Sequence, residues 1–327
     1  MRATITAGCA LLMLLSAAPA RAGAERSFQL MGKVLNGDGK PFRRTPPVVF
    51  LQSALTPFAV RTSAEIDGSY KFKNLRPGMY SMIVAVPFIG EMNRTIEIGP
   101  SFADSRGRIA FDIRFDARPD SAAKTVSAAA LSIPDSAKAE YRKAQERLAK
   151  HDTPGAIAHL KKAVELAPQF SAALNNLGTI AYQARQYEEA AAYFRQAHEK
   201  EPNDYAPLVN LGGALLSAGK VQESLEYNLL AVKAKPEDAL GRSQLGQSYF
   251  YLGQLDGAEA ELKKAKALDP AHFSYPQLIL AEIYLRRQNP AAAAMELEEF
   301  LRFHPDSDRA PKLRAIIQNL RGKGNQP

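Results

Sequence analysis

Residues 174–202 read LNNLGTIAYQARQYEEAAAYFRQAHEKEP, and the chain returns to this arrangement at a fixed step. Pro168, Pro202, Pro236 and Pro270 each follow the last by 34 residues, and Pro305 comes after 35. Leu174, Leu177, Gly178 and Ala181 recur at spacings of three and four, which places them on one face of a helix. A break at Gln186-Tyr187 is followed by Tyr187, Ala190, Phe194 and Ala197, a second helix on the same logic. Gly178 and Ala190 are small where two helices would cross, and Phe194 is large enough to fill the space beside them. Pro202 ends the second helix, because it has no N–H to donate and disfavours helical geometry in the residue before it. The set returns as Leu208, Leu211-Gly212, Val221, Ser224, Asn228 and Ala231, then as Leu245-Gly246, Tyr249, Leu255, Ala258, Leu262 and Ala265. One helix pair cannot bury its own apolar face, so such units must stack, and a fixed period of this length marks a stacked helical array.

These units resemble tetratricopeptide repeats, with boundaries at about 137–170, 171–204, 205–238, 239–273 and 274–308. The first unit departs from the pattern, with Glu140 and Lys143 where large apolar residues usually stand, which suits a terminal unit with one solvated side. In the fifth, Phe300 replaces the usual small alanine. A last helix, about Arg309 to Arg321, carries Ala310, Leu313, Ile316, Ile317 and Leu320 on one side and is expected to cover the open end. The resemblance implies that first helices line a concave groove. By repeat position that groove would carry Asn175, Thr179, Tyr182 and Gln183, then Val209 and Leu216. It would continue with Ser243, Gln247, Phe250 and Tyr251, then Leu278, Glu282 and Arg286. Tyr182, Leu216, Phe250 and Tyr251 form an aromatic and apolar strip of the kind that anchors a peptide, or else they pack against adjacent repeats. Some relatives grip a C-terminal carboxylate; here Asn176 and Asn210 occupy one suitable position, but Leu240 and Gln244 stand where basic partners are needed.

The rest of the chain surrounds this array. Residues 1–22 have the parts of a cleaved secretory signal: Arg2, an apolar core from Ile5 to Leu15, and Ala18-Pro19-Ala20 or Ala20-Arg21-Ala22 as the cleavage site. The apolar run is shorter than the roughly 18–20 residues needed to span a bilayer, so no transmembrane segment is expected in the mature chain. Cys9 is the only cysteine and would leave with the signal. Losing Arg2 and Arg21 lowers the formal charge from +8 to +6. Basic residues from Arg302 to Lys323 read as a solvated capping helix in preference to a contact with an acidic polymer.

Residues 27–116 read as strands. Ile109, Phe111, Ile113 and Phe115 alternate with polar or small residues, as do Tyr70 and Phe72, while Val48–Leu51 and Met79–Val86 are further candidates. Turn signals at 36–39, 67–68, 76–78 and 89–90 separate them, which implies a two-sheet sandwich. Gly32-Lys33-Val34, Gly39-Lys40-Pro41, Asp67 to Phe72 and Leu75-Arg76-Pro77-Gly78-Met79-Tyr80 resemble the carboxypeptidase regulatory-like domain, a transthyretin-like sandwich of about seven strands. That resemblance implies a fold and an accessory role. Residues 117–136, rich in Ala and Ser, suit a linker, although 124–131 could add an extended strand.

No reaction centre emerges. His151, His159, His198, His272 and His304 belong to no zinc motif, and His159 and His198 read as exposed helix positions. Glu188-Glu189 and Glu298-Glu299 read as solvated faces, and neither a nucleophile elbow nor a phosphate loop is present. The expectation is a multidomain, exported, non-enzymatic chain without cofactor or metal, periplasmic or extracellular, with cell-envelope association as an open alternative. Its partner would be a protein or peptide, not nucleic acid. An alternative places recognition of envelope glycan or peptidoglycan in the sandwich.

Overall fold

The structure, a computed structural model, describes residues 27–54, 56–87, 89–115 and 132–324. The signal read over 1–22 and the 124–131 segment lie outside the described residues. The chain divides into two compact units, 26–227 and from Asn228 onward.

The first unit begins with eight strands: β1 (Phe28–Asn36), β2 (Val48–Ser53), β3 (Ala59–Ser63), β4 (Ser69–Leu75), β5 (Gly78–Val86), β6 (Gly90–Ile98), β7 (Arg108–Ala110) and β8 (Ile113–Phe115). One sheet runs β4-β1-β7, with β8 also pairing β1; the other runs β3-β2-β5-β6. Alternate residues of both sheets, among them Leu30, Val34, Leu51, Phe72, Met82, Val84 and Ile98, close one core. The eighth strand arises because the expected 109–115 strand is interrupted. Between β7 and β8 the Phe111 carbonyl turns over Gly32, where an added Cβ would meet it at 1.9 Å. That carbonyl accepts from the Tyr70 hydroxyl at 2.6 Å, and Asp112 Oδ1 accepts from Lys33 N–H at 2.8 Å. A glycine in β1 therefore permits the close backbone approach that splits the edge strand.

The helices come in pairs: α1 (Asp135–Ala149) with α2 (Thr153–Leu166), α3 (Ser171–Gln183) with α4 (Tyr187–Lys200), and α5 (Tyr205–Ser217) with α6 (Val221–Ala234). Pairs α7 (Ala239–Tyr251) with α8 (Leu255–Leu268) and α9 (Pro276–Arg286) with α10 (Pro290–Phe303) follow, then α11 (Ala310–Gly324). Within each pair the turn holds a left-handed residue at its centre: His151, Arg185, Gly219, Gly253 and Gln288. The next residue donates its N–H to a carbonyl five residues back, as in Gln186 to Ala181 at 2.9 Å, Gln254 to Tyr249 at 2.9 Å and Asn289 to Tyr284 at 2.8 Å. This pattern satisfies the orphan carbonyls at the end of each first helix. It repeats whether or not the residue is glycine.

Where paired helices cross, the small–large reading holds. A Cβ on Gly178 would lie 2.6 Å from the Phe194 ring, and one on Gly246 would lie 2.7 Å from Leu262. The polar first unit is internally paired: Glu140 on α1 bonds Lys143 at 2.7 Å and His159 Nδ1 at 2.6 Å. His159 is thus half-buried, not free on the surface. Glu299, read as solvated, instead shares Lys266 with Glu296 at 2.9 and 2.8 Å. Phe300 is fully buried with Leu313, Ile317 and Leu320 of α11, so its bulk fills the space against the terminal helix.

Candidate functional site

In the first unit, the first helices are linked by short side chains at corresponding positions. Asn176 Nδ2 donates to the Tyr141 hydroxyl at 3.2 Å, and Asn210 Nδ2 to Asn175 Oδ1 at 3.0 Å. The asparagines considered as carboxylate-clamp positions therefore tie α1 to α3 and α3 to α5. Thr179 Oγ1 donates to its own helix at the Asn175 carbonyl. Tyr182 is 36% exposed, with its hydroxyl 3.0 Å from Ser217 Oγ. Leu216 is half-buried and Val209 is buried.

Gln183 has a partner from its own chain. Its Nε2 donates to the Ser53 carbonyl, 3.1 Å away at the end of β2. Nearby in sequence, Phe58 stacks on His151 with ring centroids 4.6 Å apart and planes 16° from parallel. Strand β3 also touches α1. The β2–β3 connection thus seats on the first two helix pairs, a contact that no periodicity could signal because it joins residues 130 positions apart.

In the second unit, α7 and α9 divide the expected groove residues into two groups. Ser243, Phe250, Leu278 and Glu282 are buried. Ser243 accepts from Ser274 at 2.7 Å, which explains why a small hydroxyl stands there. The Arg286 guanidinium lies 4.4 Å from the Phe250 ring centroid and donates to Glu282 Oε1 at 3.1 Å. Burial pushes the Glu282 carboxyl up, and its Oε2 is buried without a partner. Tyr251 is 54% exposed, Arg286 is exposed, and Gln247 is half-buried. The surface offered by this unit is therefore Gln247, Tyr251 and the outer side of Arg286, with Phe250 as support beneath. Sequence position alone did not separate these from the packed residues, because neighbouring first-helix positions differ in burial only through the next pair.

Among the described residues, no three His, Cys, Asp or Glu side chains cluster as metal ligands would. Among the same residues, no helix is long and apolar enough to cross a membrane.

Known structures resemble part of the chain. The 41-to-end portion of MamA from Desulfovibrio magneticus RS-1 is 22% identical over 54% of this chain and 99% of its own, with a TM-score of 0.48. A tetratricopeptide repeat protein from Parabacteroides merdae ATCC 43184 is 21% identical over 58% of this chain and 75% of its own, with a TM-score of 0.48. YrrB, described as a TPR protein with an unusual peptide-binding site, is 22% identical over 58% of this chain and 100% of its own, with a TM-score of 0.46. No curated protein matches the chain. The tetratricopeptide repeat profile matches residues 141–205, 175–239 and 243–309, which together cover just over half of the sequence. On that match, and on helix pairs closed by the same turn at each step, the chain belongs to the tetratricopeptide repeat family.

Proposed function

We propose that this chain is an exported, non-enzymatic scaffold that holds an extended segment of a polypeptide partner against its first helices. One observation carries the reading: Tyr251 leaves more than half of its surface in solvent on α7, beside exposed Arg286 and half-buried Gln247. An exposed aromatic next to hydrogen-bonding groups is the usual composition of a peptide anchor. In the other unit, Tyr182 and Leu216 offer a second, smaller surface of the same kind, flanked by Asn175 and Thr179. Catalysis plays no part; a rigid array lowers the ordering cost of binding. The secretory pattern of residues 1–22 supports export to the periplasm or beyond. The motifs at 32–34, 39–41, 67–72 and 75–80 support assignment of the sandwich to the carboxypeptidase regulatory-like family, as an accessory module.

The test is photo-crosslinking in live cells from position 251, compared with Tyr182→Ala plus Tyr251→Ala in a pull-down from envelope extract. Phe250 is unsuitable for this purpose because its burial would turn the experiment into a stability measurement. The expected outcome is a defined set of crosslinked polypeptides that the double variant fails to retain. Equal retention by both proteins would refute the groove. Binding of cell-wall polymer by the intact chain, unaffected by the double variant, would favour recognition through the sandwich instead.

A further inference from the structure

The outer face of the β4-β1-β7 sheet carries a set of cations. Alternation sends Leu30, Val34, Tyr70, Phe72, Ile109, Ile113 and Phe115 inward to the core, so the intervening residues face out. Lys33 on β1, Lys71 and Lys73 on β4, Arg108 on β7 and Arg114 on β8 are all exposed. The register spreads them over the whole sheet: Lys71 stands opposite Met31, Arg108 opposite Gln29, and Arg114 opposite Leu35. Only two have acidic partners: Lys33 with Asp67 at 3.1 Å and Arg108 with Asp104 at 2.8 Å. Among the described residues, Lys71, Lys73 and Arg114 form no ion pair. Asp112, between β7 and β8, is exposed and accepts from the Lys33 N–H, so among the described residues it is the one unpaired carboxylate set against these three cations.

The shape and chemistry of this face choose among polyanions. A sugar chain is gripped in a concavity by stacking on aromatic rings, but Phe28, Tyr70, Phe72 and Phe115 of these strands are all buried in the core. Most of the exposed positions are instead cations, spaced by strand separations of about 4.8 Å and by two-residue steps of roughly 7 Å, with Ala110 and Asp112 among them. Such a lattice matches a plane of phosphates. We infer that this sheet face is an electrostatic docking surface for an anionic phospholipid bilayer. The inference is independent of the groove reading, since it rests on different elements. No exposed aromatic or leucine projects from this face to enter the acyl region, so attachment is reversible and governed by salt. Each Lys or Arg near such a surface contributes about a fivefold gain in partitioning.

The full chain is sedimented with phosphatidylcholine vesicles, with and without phosphatidylglycerol, in about 0.1 M and about 1 M salt, where screening lengths are about 10 and 3 Å. Binding is expected only with phosphatidylglycerol and only at the lower salt. Lys71→Glu/Lys73→Glu/Arg114→Glu should weaken it by about a hundredfold or more, and Lys312→Glu/Arg314→Glu on α11 should leave it unchanged. Circular dichroism verifies folding; if the charge-reversed protein does not fold, Lys71→Gln/Lys73→Gln should still weaken binding by roughly twentyfold. Sedimentation with neutral vesicles, equal weakening by the α11 variant, or binding of soluble polyphosphate without binding of vesicles would each overturn the inference.

Discussion

Gly178→Ala probes the feature that defines the repeats. The added methyl would sit 2.6 and 2.7 Å from two carbons of the Phe194 ring, nearly 1 Å inside ordinary contact. Phe194 is 2% exposed and held among Ala181, Leu211 and Leu215, so the ring has no room to swing away. Overpacking of this kind costs about 1–3 kcal/mol. The chain also contains the remedy. At the same repeat positions the first and fifth units pair Ala144 with Leu160 and Ala281 with Leu297. Phe194→Leu alone leaves a void and is expected to cost about 1–2 kcal/mol. Combined with Gly178→Ala it recreates the terminal pairing, so the double variant should be more stable than the sum of the two by about 1 kcal/mol or more. Urea titration followed by far-ultraviolet circular dichroism measures this, with hydrogen exchange in α3 and α4 locating the effect. With a slope of about 1–3 kcal/mol/M, a 2 kcal/mol loss moves the midpoint by roughly 1 M. A neutral Gly178→Ala, or fully additive costs, would refute the reasoning.

Three further outcomes follow from local geometry. Gln288→Gly should stabilise the second unit by up to about 1 kcal/mol and Gly253→Ala should destabilise it by about as much, since both residues hold a left-handed backbone; thermal unfolding reads both. Gly32→Ala drives a methyl into the Phe111 carbonyl at 1.9 Å, and should unfold or re-register the β7–β8 edge, visible as lost amide protection at Ile109 and Ile113. His272 is held below its ordinary value by burial, against the opposing pull of Asp269 and Asp238 and with the help of His304. The unfolded chain therefore takes up a proton before the folded one does. The contribution of His272 to stability is fully present above about pH 6.5 and is lost as the pH drops below it, and His272→Gln should flatten the decline in acid-titrated thermal melts.

Much of the helical architecture could be read from spacing alone, because Pro202 returns every 34 residues, Gly178 returns at Gly212 and Gly246, and the bulk of Phe194 returns at Leu160 and Leu262, with Asn228 the exception. The five turns were legible in position but not in chemistry: only Gly219 and Gly253 announce a left-handed residue, whereas His151, Arg185 and Gln288 adopt it under the pull of the paired helices. In the sandwich, β1 was not named as a strand although 32–34 entered the resemblance, and β3 and β6 escaped notice. Both are edge strands of their sheet with few buried residues, so the alternation that revealed β4 and β5 is weak in them. The groove was legible only as a set of positions. Burial of Val209, Ser243, Phe250, Leu278 and Glu282 depends on neighbouring helices, and the use of Gln183 depends on a strand that the sequence places in another domain.

That last contact has a practical bearing on how the repeats are studied. A fragment trimmed to begin at α1 would strip the aromatic cover from His151 and deprive the Gln183 amide of its acceptor, while Gln183 Oε1 already lacks a donor. The cut would manufacture an adhesive spot resembling a recognition pocket. Peptides selected on such a fragment would report the scar of the excision, and the uncut protein would ignore them.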